Sequence, residues 1–158
     1  MATKPVRVYA DTSVYGGVFD EEFREPSRLF FDAVRMGRFR LIISPLIGSE
    51  LKDAPESVRA LLASVRLDAE IADITEEVVG LQQAYLTAGI VGAKWEADAL
   101  HVAIATVSGC AVIVSWNFKH VVNFERIPLY NGVNLSKGYA AIAIHTPQEV
   151  IAHEDEDV

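Results

Sequence analysis

The 158-residue chain contains a single cysteine, Cys110, so no internal disulfide can brace the fold. It also lacks any unbroken apolar run approaching the roughly 18 residues that a membrane-spanning helix requires. Hydrophobic residues make up 51% of the chain and charged residues 23%, a globular composition that excludes a disordered or membrane-embedded protein. No secretory signature opens it, because Met1 to Pro5 leads straight into a short apolar run ending before Asp11. Cys110, set in Cys110-Ala-Val-Ile-Val114, reads as a buried core thiol, and the expected location is the reducing cytoplasm. Positive charge is scarce. With 14 Lys and Arg against 22 Asp and Glu the net charge is −8, which disfavours indiscriminate binding to nucleic acid. There is no internal repeat and no low-complexity linker. The length suits one domain, expected over residues 1–152, followed by an acidic, frayed tail over 153–158.

Five short apolar or alternating runs predict strands: Val6–Ala10, Leu41–Ile43, a weaker Glu70–Ile74, Ala111–Val114 and Ala141–Ile144. Helical stripes lie between them. Leu29, Phe30, Ala33 and Val34 form one behind Pro26, ending at Gly37, and Val58, Leu61, Leu62 and Val65 form another. Helix starts are marked by Asp53 with Glu56 as an acidic capping box, by Ser44 before Pro45, and by Thr146-Pro-Gln-Glu149. Such alternation predicts an α/β fold with a parallel sheet and helices on both faces.

In an open parallel sheet, ligands bind beyond the carboxyl ends of the strands. Asp11 directly follows the first strand, where nothing in strand chemistry calls for a charge, although Asp before Thr12-Ser13 is also a good helix cap. Glu50 lies seven residues past the second strand, within the first two turns of the next helix. Asp98 borders an Ala-rich helix whose Ala97, Leu100, Ile104 and Val107 suggest a core-facing stripe, with His101 one turn on. Glu96, offset by about 200° around that helix, points elsewhere. Asn117 follows the fourth strand in the position that Asp11 holds after the first, and it is equally at home as a turn residue. Three acids and an amide converging on one mouth make a hard oxygen donor set that suits Mg²⁺ or Mn²⁺. His101, His120, His145 and His153 form no ligand spacing and are expected to be structural or solvated, which argues against zinc. Arg24, Arg28, Arg35, Arg38 and Arg40 cluster within seventeen residues, as a solvated helix face or as a surface for RNA or an acidic partner.

Taken together, Tyr9-Ala-Asp-Thr-Ser13, Ser44 to Glu50, Asp98-Ala-Leu-His-Val-Ala-Ile-Ala105 and Val114-Ser-Trp-Asn-Phe-Lys-His120 resemble the PIN domain, the fold of VapC-type toxin ribonucleases, over nearly the whole chain. The resemblance implies a three-layer sandwich around a parallel sheet of about five strands. It implies metal-dependent hydrolysis of RNA, with the family's metal-binding acids carried over to Asp11, Glu50 and Asp98. Thr12 or Ser13 and Ser115 become supporting hydroxyls, and Arg24, Arg28, Lys94 and Lys119 become candidate contacts to RNA or a partner. An antitoxin protein partner and a homodimer are further implications. Asn117 departs from the pattern, since many relatives carry a further Asp there. Losing that charge weakens the case for a second cation. It also leaves open a weakened or inactive PIN-like module that binds RNA or protein.

Overall fold

The computed structural model describes residues 4–155, with the side chains of residues 153–155 left out. Five strands, β1 (Val6–Ala10), β2 (Phe39–Ile43), β3 (Glu70–Ile71), β4 (Val112–Val114) and β5 (Ala143–His145), form one sheet in the order β3-β2-β1-β4-β5. Every pairing is parallel, with Val8 opposite Leu41 on one side and Val112 on the other. The central strands lie between two helical layers, which is why β4 and the second half of β1 are uniformly apolar rather than alternating.

Eight α-helices are described: α1 (Thr12–Gly17), α2 (Arg24–Arg35), α3 (Pro45–Leu51), α4 (Glu56–Arg66), α5 (Glu76–Thr87), α6 (Glu96–Val107), α7 (Arg126–Ser136) and α8 (Pro147–Asp155). In one layer α1 and α3 pack against each other and against α4, and α2 packs on α1, β2 and α8; in the other, α5 packs on α6 and α7 while α6 covers β4. This is the three-layer α/β sandwich. The chain runs outward from β1 through β2 to β3, then returns to the other side of β1 for β4 and β5. The reversal falls between β1 and β4, the place where open parallel sheets bind ligands beyond the carboxyl ends of their strands, and Asp11 and Ser115 are the residues that immediately follow those strands.

Several boundaries differ from the sequence expectation. The third strand stops at Ile71 rather than Ile74, an edge segment whose Glu70 is held by Arg7 at 2.7 and 3.2 Å. The fifth begins at Ala143, because the Asn131 side chain takes both backbone groups of Ile142, at 2.8 and 3.0 Å. Asp53 does not cap α4. It stands in the turn leaving α3, where Ala54 donates to the Leu51 carbonyl, and α4 starts after Pro55 with no side-chain cap. Thr146 and Glu149 do form a reciprocal capping box, each accepting the other's backbone N–H at 3.1 Å. Gly37 ends α2 with φ +81°, a conformation that glycine adopts without strain. Helix α8 continues to Asp155, into the stretch expected to fray, and residues 156–158 of that tail lie outside the described residues. Helices α1, α5 and α7 carry no marked stripe in the sequence, and α6 is buried nearly all round from Ala99 to Thr106 rather than along the expected stripe, with Ala97, Leu100 and Val107 only partly buried.

Candidate functional site

Asp11 is only 4% exposed. As the cap of α1, its Oδ1 accepts from the Ser13 backbone N–H at 3.1 Å and from Ser13 Oγ at 2.5 Å. Its Oδ2 accepts from Ser115 Oγ at 2.5 Å. Both serines continue the lattice, Ser13 Oγ accepting from the Trp116 N–H and Ser115 Oγ from the Asn117 N–H, each at 2.9 Å. The carboxylate thus staples the loop after β1 to the loop after β4. Burial pushes its pKa up, opposed by the charge of His101 and by the Ser115 and Ser13 hydrogen bonds. The cap reading and the site reading of Asp11 therefore coincide in one side chain.

Glu50 projects from α3 with 32% of its side chain exposed. Its Oε1 accepts from Thr12 Oγ1 at 2.6 Å and pairs with His101 Nε2 at 2.5 Å. Burial alone raises the carboxyl pKa; the hydrogen bond and charge of His101, with help from Thr12, outweigh it and leave Glu50 below the ordinary glutamate value. His101 is 3% exposed, and its Nδ1 lies 2.7 Å from the Tyr9 hydroxyl, itself 2.9 Å from Ser44 Oγ. Nε2–H donates to Glu50, and Nδ1 either accepts from the Tyr9 hydroxyl, when the imidazole is neutral, or donates to it, when the imidazole is charged, with the Tyr9–Ser44 bond turning to match. This arrangement explains why Ser44 starts α3 without a side-chain capping bond.

Asp98, in the first turn of α6, keeps 23% of its side chain exposed and meets His120 Nδ1 at 2.9 Å. His120 is held from behind by Asn117, whose Oδ1 accepts its backbone N–H at 2.9 Å, and its ring lies 4.5 Å from that of Trp95. Asn117 is thus occupied in shaping its turn. Lys94 and Lys119 both place Nζ over the Trp95 ring, at 5.1 and 5.5 Å from its centroid. Arg24 and Arg28 are exposed on α2; Arg28 lines a groove of about 430 Å³ between α1, α2 and α4 that none of the acids borders. Arg35 pairs with Asp32 at 3.2 Å. Glu96 is exposed, and its carbonyl accepts from Gln82.

The donor set suits a hard divalent cation in kind, since it consists of three carboxylates with hydroxyl neighbours. It is not gathered into a cage: among the described residues, no three His, Cys, Asp or Glu side chains stand close enough to hold one ion. Two of the acids are instead engaged by imidazoles. The sequence offered little sign of those partners, because His101 and His120 reach Glu50 and Asp98 across 51 and 22 residues of chain. The nearest hint was His101 falling one turn after Asp98. His145 pairs with Glu149 at 3.1 Å on the surface, and the side chain of His153 lies outside those described.

Comparison with solved structures matches the chain to VapBC2 from Rickettsia felis, in a crystal structure bound to a DNA fragment from their promoter. The TM-score is 0.60 at 15% identity, covering 89% of this chain and 98% of that one. At that identity the likeness is one of fold alone, and the fold is PIN-like. No family model and no curated protein matches the sequence. Among the described residues no helix is long and apolar enough to cross a membrane.

Proposed function

We propose that the protein is an endoribonuclease that hydrolyses RNA phosphodiester bonds with Mg²⁺ or Mn²⁺, using Asp11, Glu50 and Asp98 as the acids that hold the ion. The observation that carries the reading is Asp11: a carboxylate buried at the carboxyl end of the central strand of a PIN-like sheet, with serine hydroxyls and an amide as its hydrogen-bond partners and no Lys or Arg among them. Keeping a charge in such a place is expensive, and a bound cation offsets the cost while using the charge. When bound, the metal would supply Lewis acidity towards the phosphate and a lowered pKa for a coordinated water.

The chain's own contribution is orientation. Ser13 and Ser115 fix the Asp11 carboxylate plane, Thr12 and His101 hold Glu50, and His120 holds Asp98. Because the acids are not gathered as they stand, loading an ion requires movement at Glu50 or Asp98. Lys94, Lys119, Arg24 and Arg28 offer positive charge for the phosphate backbone of a protein that is otherwise acidic. A protein partner of antitoxin type and pairing into a homodimer belong to the same proposal.

The test is incubation of the purified protein with a mixed RNA pool, in Mn²⁺ or in chelator. Cleavage is expected in Mn²⁺ alone, and Asp98→Asn should abolish it while leaving the thermal transition in place. Undiminished metal-dependent cleavage by that folded variant overturns the assignment. One specific finding favours a second reading, a PIN-like module without catalysis: Asn117 brings no charge and spends its amide oxygen on the His120 backbone. That module would show neither stabilisation by Mn²⁺ nor cleavage.

A further inference from the structure

Beside Asp98 two cations are gathered on one aromatic ring. Trp95 ends the short 3-10 turn Ala93–Trp95 that runs directly into α6, and its indole lies 4.5 Å from the imidazole of His120. His120 is pinned at three points. Its Nδ1 meets Asp98 at 2.9 Å, its backbone N–H donates to Asn117 Oδ1 at 2.9 Å, and its carbonyl accepts from the buried Tyr130 hydroxyl at 2.8 Å. The indole is thereby backed by a fixed ring. Lys94 reaches over it from its own turn and Lys119 from the loop after β4, with Nζ at 5.1 and 5.5 Å from the ring centre. Arg126, the first residue of α7, adds a third cation: its Nε donates at 3.0 Å to the carbonyl of Ile90, in the segment that leads to that turn. Among the described residues none of the three is paired with a carboxylate, and the exposed Glu96 and Glu125 beside them in sequence pair with none of them.

Positive charge is scarce in a chain with 14 Lys and Arg against 22 acids, so two ammonium groups brought to one ring without a carboxylate between them call for a counter-charge. Each gains from the ring, but the two repel one another. Asp98, the acid of this edge, is engaged by His120. An anion between the ammonium groups completes the arrangement. A phosphate monoester carries close to two negative charges at neutral pH and three oxygens that accept charge-assisted hydrogen bonds, which matches two ammonium groups with three donors each. A diester within a strand brings one charge and leaves one cation uncompensated. We propose that Lys94 and Lys119, gathered on Trp95, form a binding site for a terminal phosphate monoester of RNA, with Arg126 adding to the positive field. The inference rests on the proposed function for the source of its ligand, because hydrolysis of a phosphodiester leaves a monoester on one of the two new ends. It adds that a chain end bearing such a group is held at the Asp98 edge of the site.

The test is equilibrium binding in chelator, followed by anisotropy of a four-nucleotide RNA labelled at one end. The other end carries a monophosphate, the methyl ester of that phosphate, or a hydroxyl. The set is made in both polarities, so that a 5′ and a 3′ phosphate are told apart. In one polarity or both, the monophosphate strand should bind at least about tenfold tighter than its methyl ester and hydroxyl counterparts. Lys94→Ala and Lys119→Ala should each weaken that strand by about 5- to 10-fold while changing the hydroxyl strand by no more than about twofold. Lys94→Arg and Lys119→Arg, which keep the charge, should restore most of the affinity and show that the loss is not one of folding. Inorganic phosphate should compete at least about tenfold more weakly than the strand.

Equal binding of monophosphate and methyl ester in both polarities, or unchanged discrimination when Lys94→Ala and Lys119→Ala are combined, would overturn the site. Equal affinity for inorganic phosphate or for oligoglutamate would overturn its assignment to an RNA end. Because the assay needs neither metal nor cleavage, the two ideas fail separately. Lysine-dependent discrimination without cleavage in any metal supports the site and removes the nuclease. Metal-dependent cleavage by a protein that binds all three ends alike removes the site and keeps the nuclease.

Discussion

Two buried polar networks of similar size run through this molecule, and they end differently. In the helical layer of α5, α6 and α7, the Tyr85 hydroxyl donates to Asn134 Oδ1, Asn134 Nδ2 reaches Thr106 at 3.4 Å and Asn131 at 3.2 Å, and Asn131 closes on the backbone of Ile142. Every member is neutral and the line finishes on peptide groups. At the carboxyl edge of the sheet, the line from Ser44 through Tyr9 and His101 finishes on Glu50, a carboxylate in partial contact with solvent that also accepts from Thr12, the residue after buried Asp11. A closed neutral network ties elements together. An open one that ends on charge holds a group in place for something outside the chain. The same edge carries Tyr15, whose hydroxyl is the one buried side-chain polar atom without a hydrogen-bond partner among the described residues. The Asp11 charge helps raise its pKa, although burial is the larger cause.

The comparison breaks most decisively at Asp11. Asp11→Asn keeps the shape and can still satisfy Ser13 and Ser115, so RNA cleavage should fall by two orders of magnitude or more, as expected for loss of a metal-binding charge. Stability should not fall with it. Burial raises the folded-state pKa of Asp11 above its unfolded value, so the folded chain binds this proton more tightly. Stability from this group is therefore present at low pH and declines as pH rises from the unfolded value, about 3.9, through the folded one. At neutral pH in chelator the asparagine variant should melt no lower than wild type, as read by circular dichroism. A large drop would mean that Asp11 is a structural cap alone.

The closed network should respond in the opposite way. Asn134→Ala removes a fully buried amide and leaves the Tyr85 hydroxyl only its long 3.4 Å contact with Thr106 Oγ1, a loss of about 2–4 kcal/mol or roughly 4–16 °C in melting temperature for a chain of this length. Cleavage per folded molecule should stay unchanged. A variant that melts normally but loses activity would erase the distinction between the two networks.

The smallest effect concerns pH. Glu50 is held below the ordinary glutamate value, so its contribution to stability is complete above about pH 4.3 and fades as pH falls through its lowered folded-state pKa. His101→Phe removes the imidazole responsible while keeping a ring. The acid limb of the stability profile should then move to higher pH, because burial is left to push Glu50 upward. An acid limb that stays in place would show that His101 does not hold Glu50 in solution.

Much of the frame was legible in the chain. The apolar runs before Asp11 and Asn117 marked β1 and β4, because strands buried on both faces leave continuous Val, Ile and Ala signatures. The Thr146 to Glu149 box announced its own reciprocal bonds, since both partners lie within one turn. The less legible parts had tertiary causes. Strand β5 was offset because Asn131, over ten residues away, captures Ile142, and α5 and α7 were missed because neither carries a marked stripe.

At the site the division is similar. Sequence alone placed acids after the strands at Asp11 and Glu50, another at the start of an Ala-rich helix, and hydroxyls around them, because strand ends and helix caps are local events. Only the packed chain decided that Ser115 would grip Asp11 across 104 residues, that His101 and His120 would engage Glu50 and Asp98, and that Lys94 and Lys119 would both reach over the Trp95 ring. Those contacts depend on the order in which parallel strands are stacked side by side, and sequence spacing carries no record of that order.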